Sequence, residues 1–161
     1  SVVTWARWAR PMEAIHSLGQ EATTTQPKLV IDTNIVLDLY LFKDPRTLEL
    51  KQALEAKHVR WLATQVMRDE LERVLDYAHI AAKLSFYQLT PAQVLEQFDQ
   101  HVQLQAIAPR ASAICKDPDD QKFIDLAVAH RAMLLSKDKA VLCMRKRLLV
   151  LGVLVQPAML F

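Results

Sequence analysis

Lys28-Leu29-Val30-Ile31-Asp32-Thr33-Asn34-Ile35-Val36 sets a short apolar, β-branched run directly before an aspartate. A run of this size suits a buried strand, because branched side chains pack well on a pleated surface. Three further runs match it, Val59 to Ala63, Ala132 to Leu135 and Val153 to Val155. Helical patterns lie between them. Asp44-Pro45 reads as an N-cap with proline in the first turn, opening a helix through Ala56, and Thr64 caps a helix from Gln65 to Ala78. Thr90-Pro91-Ala92-Gln93 has the spacing of a capping box ahead of a helix from Val94 to Leu104, and Asp117-Pro118 opens another through His130. Strands separated by helices predict an α/β fold, a three-layer sandwich with a central, mainly parallel sheet flanked by helices, because parallel neighbours need crossover connections. In such sheets ligands bind beyond the carboxyl ends of the strands, where Asp32 and Asp138 fall.

With 161 residues, 52% of them hydrophobic and 24% charged, the chain suffices for one core. A net charge of +2 is too mild to argue nucleic-acid binding by itself. Cys115 and Cys143 stand alone, which speaks against a zinc site or a disulfide framework and for reduced thiols of a cytoplasmic protein. No apolar run reaches the roughly 18 residues of a membrane span, and the first 26 residues lack the pattern of a signal peptide. The polar stretch from Glu21 to Pro27 reads as a linker between an N-terminal extension, residues 1–26, and a domain over 27–161. Trp5, Trp8, Met12 and Ile15 recur at helical spacing in that extension, so an apolar face packed on the domain or on a second subunit is expected there.

Acidic residues carry the chemistry. On the helix after Thr64, the positions Val66, Met67, Leu71, Val74, Leu75 and Ala78 define a buried arc, and Glu70 lies at its rim while Asp69, Glu72 and Asp76 point away. After Asp117, the inward face of Phe123, Ile124, Ala127 and Val128 is shared by Asp120; Asp119 is offset by about 100° and Asp125 faces outward. Asp117 is explained as the cap before Pro118, and Asp119 is a candidate to support the site from a second layer or to ligate a second metal, its other explanation being the helix N-terminus. Taken singly, Asp32 and Asp138 could be helix caps and Glu70 could pair with Arg68 or Arg73. Together, Asp32, Glu70, Asp120 and Asp138 place carboxylates at two strand ends and on two intervening helices. Carboxylates so gathered repel one another unless a divalent cation sits between them, which predicts metal-dependent phosphodiester chemistry.

The segments Val30 to Val36, Asp69 to Leu75, Lys116 to Phe123 and Leu134 to Lys139 resemble the four signatures of PIN-domain ribonucleases, and more closely the branch of toxins from toxin-antitoxin pairs. The resemblance runs from Lys28 to Phe161. It implies a PIN-like fold in which Asp32, Glu70, Asp120 and Asp138 bind Mg²⁺ or Mn²⁺, Asn34 supports the first aspartate, and Ser136 orients a carboxylate or water. It implies a water, activated by the metal, cutting single-stranded RNA. An antitoxin protein and a homodimer are the partners it implies. The chain departs from the family in having His130-Arg131-Ala132 and Lys137 where glycines are common, and Ala140 where a further acid often stands.

Basic residues surround these acids. Lys116 and Lys122 flank Asp120, while Lys137, Lys139 and Arg145, with Lys146 and Arg147, lie on or after the Asp138 loop, positioned to contact a phosphate backbone. Tyr40, Phe42 and Trp61 could stack bases but suit core packing better. Two other classes stay open: a phosphoacceptor or phosphatase with aspartates at strand ends, and a degenerate PIN-like module that binds RNA or protein without catalysis. The first motif, with a single aspartate, argues against the former, and the complete acidic quartet against the latter.

Overall fold

A computed structural model describes residues 26–159; the Trp5/Trp8 segment and the last two residues lie outside them. Five parallel strands form one sheet in the order β3-β2-β1-β4-β5: β1 Lys28–Ile31, β2 Arg60–Ala63, β3 Val102–Leu104, β4 Met133–Leu135 and β5 Val155–Gln156. β1 is central, with Leu29 opposite Trp61 on one side and Met133 on the other, so Leu29, Val30 and Ile31 are buried between both layers. That double burial is why its sequence is a continuous apolar run rather than an alternation.

Eight α-helices flank the sheet among the described residues: α1 Thr33–Tyr40, α2 Leu48–Glu55, α3 Gln65–Leu75, α4 Ala78–Phe86, α5 Pro91–His101, α6 Gln121–His130, α7 Lys139–Leu142 and α8 Arg145–Val150. Moving from β1 to β2 to β3, right-handed crossovers lay α1 to α5 on one face; reversing to β4 and β5 lays α6 to α8 on the other. The packing agrees: α1 touches α2 and α3, α3 touches α4 and α5, and α6 lies on β1 and β4. The reversal makes the β1/β4 pair the switch point of the sheet, beyond whose carboxyl ends such folds bind their ligands.

Local signals set several boundaries as expected. Thr64 accepts from the Met67 N–H at the start of α3, and Thr90 and Gln93 form a complete capping box on α5. Asp44 and Asp117 cap 3₁₀ turns, Pro45–Thr47 and Pro118–Asp120, that precede α2 and α6, so each expected helix begins one tight turn late. The strand expected over Val153 to Val155 pairs as Val155–Gln156.

Several expectations are corrected. The helix expected from Val94 to Leu104 stops at His101, and Val102–Leu104 joins the free edge of β2 in register with Trp61 to Ala63. Three residues are too few to show a strand period, and the neighbour that recruits them is remote in sequence. The helix expected through Ala78 ends at Leu75; Asp76 and Tyr77 turn the chain into α4 without a glycine or proline to signal it. Val66, expected in the buried arc, sits in the first turn of α3 and is 41% exposed.

Trp61 is 1% exposed, stacked on Tyr40 at 6.2 Å and edge-on to Phe98 at 5.1 Å. Such pairs add about 1 kcal/mol each beyond area burial. Trp61 and Tyr40 are therefore core residues, leaving Phe42 as the exposed one of the three aromatics. The connection from β3 to the Pro118 turn has no regular structure and is fastened by side chains of α6. Gln121 accepts from the Cys115 N–H at 2.6 Å and donates to the Ala113 carbonyl at 3.0 Å. Asp125, expected to face outward, is instead half-buried and accepts from the Ala111 N–H at 2.8 Å.

Candidate metal centre

Four elements bring acids to the carboxyl ends of β1 and β4. Asp32 follows β1 directly; its backbone N–H donates to the Leu135 carbonyl at 2.9 Å, so the ladder that pairs the strands also fixes the aspartate. Its side chain faces the Asn34 backbone N–H without closing a full capping bond on α1. Instead Oδ2 accepts from the Ser136 hydroxyl at 2.7 Å, and Ser136 Oγ in turn accepts from the Asp138 N–H at 3.2 Å. Ser136 is fully buried and thus ties the two strand-end acids together.

Asp138 does cap α7, through Oδ1 to the Ala140 N–H at 2.8 Å, which leaves its second oxygen for the site. The capping and site roles are compatible, one oxygen serving each. Asp120 comes from the junction of the 3₁₀ turn and α6, with no capping bond of its own. Carboxylate oxygens of Asp32, Asp120 and Asp138 all lie within 4.8 Å of one another. Octahedral Mg²⁺ sets its oxygens about 3 Å apart when adjacent and about 4 Å when opposite, so a small inward turn of the side chains closes the set.

Burial makes this cluster costly when it holds only protein atoms. Asp32 is 4% and Asp120 7% exposed, and Asp120 Oδ2 has no hydrogen-bond partner. Desolvation, and then the charges of Asp32 and Asp138, push Asp120 up to about 7. Desolvation also raises Asp32, opposed by the Ser136 hydroxyl and the backbone N–H of Asn34. An unpartnered buried oxygen facing two further carboxylates is the donor set a hard cation satisfies, and hard oxygen donors select Mg²⁺ or Mn²⁺ over softer metals.

Glu70 stands beside the three rather than among them. Its Oε1 accepts from the Thr33 hydroxyl at 2.5 Å and its Oε2 from Lys122 Nζ at 2.7 Å. The Asn34 side chain is exposed, so that residue reaches the site through its backbone; Asp119 is exposed as well, and its carbonyl accepts from Lys122. Lys137 Nζ is drawn to Asp38 at 2.6 Å. Lys116, Lys139 and Arg145 are exposed. Thr33 was invisible as a site residue in the sequence, because a threonine in the first turn of a helix has an ordinary local explanation.

The family model of the PIN domain matches residues 28–140, and the chain belongs to that family. No curated protein matches it. PIN domains are nuclease folds that typically use divalent metals and commonly bind RNA. Asp32, Asp120 and Asp138 form a cluster that could hold such a metal.

Proposed function

We propose that this protein is a divalent-metal-dependent endoribonuclease acting on single-stranded RNA. The observation that carries the reading is the buried trio Asp32, Asp120 and Asp138 with Asp120 Oδ2 left unpartnered, an arrangement whose mutual repulsion a bound cation relieves. Ser136 holds Asp32, and the Ala140 N–H holds Asp138, so two of the three donors are oriented in advance. Asp120 completes the set. When bound, Mg²⁺ or Mn²⁺ supplies Lewis acidity toward a water and a phosphate oxygen. No side-chain nucleophile is needed, and no histidine belongs to the cluster. The exposed Lys116, Lys139 and Arg145 attract the polyanion without reading its sequence, an attraction that weakens with salt.

The motif resemblance extends the proposal to a cytoplasmic toxin of a toxin-antitoxin pair, held by an antitoxin protein and acting as a homodimer. The test is cleavage of labelled single-stranded RNA with Mn²⁺, Mg²⁺ or EDTA, comparing the native protein with Asp32→Asn and Asp138→Asn. Cutting that needs metal and vanishes in both variants is expected. Metal-independent RNA binding without cutting would replace the proposal with the binding-module reading.

A further inference from the structure

We infer that Lys122 supplies the second positive charge of this site, so that the centre takes one divalent ion and Glu70 binds an ammonium where a second ion would sit. This rests on the metal-dependent reading above. Lys122 lies in the first turn of α6, two residues past Asp120, with its stem along Phe123 and Nζ 4.9 Å from that ring centroid. From there Nζ reaches Glu70 Oε2 at 2.7 Å and also donates to the Asp119 carbonyl. The two side chains are 23% and 18% exposed, so the pair is mostly withdrawn from water and from salt screening.

The four acids therefore divide three to one. Asp120 has an oxygen with no donor, whereas both oxygens of Glu70 are taken, one by Thr33 and one by Lys122. A divalent ion at Glu70 would have to break a short charge-assisted bond and leave the ammonium beside a dication, so the lysine excludes it. The Asp138 loop adds no further acid. Ala140, two residues after Asp138, has a methyl side chain and so adds no oxygen donor there.

A second cation in such a site neutralises charge on the reacting phosphate. Lysine can do the same, as a compact point charge with three donors on a flexible stem that swings from Glu70 to a phosphate oxygen. No proton is transferred and no bond is made. Thr33 keeps one Glu70 oxygen engaged while the lysine is away, making Thr33 a positioning residue.

The experiment is a Mn²⁺ titration by calorimetry and electron paramagnetic resonance on the folded full chain. One ion is expected for the native protein and for Lys122→Arg, two for Lys122→Met, and one again for Lys122→Met combined with Glu70→Gln. Two ions in the native protein, or still one in Lys122→Met, would overturn the inference. Glu70→Gln alone provides a check that needs no change at Lys122: its Mn²⁺ affinity should stay within about threefold of native, and a tenfold loss would mean that Glu70 ligates the bound ion. A native protein that binds no Mn²⁺ and matches Asp32→Asn would remove the metal centre itself, a distinguishable failure.

Discussion

Replacing Asp120 with asparagine should stabilise the metal-free fold while abolishing the site. Burial and the neighbouring carboxylates carry this group from an ordinary 3.8 to about 7, so at pH above that value the fold holds a charge it disfavours. At about 1.36 kcal/mol per pH unit the full penalty is about 4 kcal/mol, and relaxation with water entry leaves about 2 kcal/mol as the working value. Because the folded state binds the proton more tightly than the unfolded chain, this group's contribution weakens the fold as pH rises from about 4 to about 7 and is constant above. Asp120→Asn has no charge to desolvate and loses no helix cap. In EDTA near pH 8 its melting temperature should exceed native by about 6 °C, and near pH 5 the difference should shrink to about 2 °C or less. Adding Mn²⁺ should raise the native melting temperature and leave the variant unmoved. A variant no more stable than native near pH 8, or one whose gain is the same near pH 5, would refute the reasoning.

Three other outcomes follow from single contacts. Ser136→Ala removes the 2.7 Å bond to Asp32 Oδ2 and should weaken Mn²⁺ binding by about 10- to 100-fold with the secondary structure unchanged by circular dichroism. Gln121→Ala leaves the Cys115 N–H and the Ala113 carbonyl unpaired; about 2 kcal/mol should be lost in urea unfolding, and amide exchange over residues 111–115 should accelerate. Gly152→Ala meets only ordinary contacts near 3.5 Å from the Arg131 side chain, but its φ of +85° disfavours any Cβ, so a loss of about 1 kcal/mol is expected from the backbone alone.

The α/β class, the mainly parallel character of the sheet and the strand-end aspartates could be read from apolar runs, caps and prolines, because those signals are local. Asp120 and Glu70 could be singled out by helical angle, yet that angle says only which way a side chain leans. It does not say what meets it. The division of Glu70 from the other three acids depends on Thr33 and Lys122, which lie 37 residues before it and 52 after it. Likewise Lys137 reads as an RNA contact beside Asp138 until Asp38, on α1, is seen to hold it. The β3 edge and the break before α4 were hidden for the opposite reason: both are short, carry ordinary residues, and exist because of what they pack against.

The hydrogen bond between Ser136 and Asp32 spans 104 residues of chain, and β4 must insert beside β1 before it can form. During synthesis, then, Asp32 emerges early and waits through nearly the whole sheet for the partner that orients it. Until β4 leaves the ribosome the three carboxylates cannot converge, and a chain cutting RNA at that stage would be acting beside the messenger that encodes it. Assembly of the cluster from the far ends of the domain delays its completion to the last steps of folding, where long-range pairing is slow. Ribosome-bound chains arrested before and after β4 should differ accordingly, only the longer ones protecting Mn²⁺ from a competing chelator.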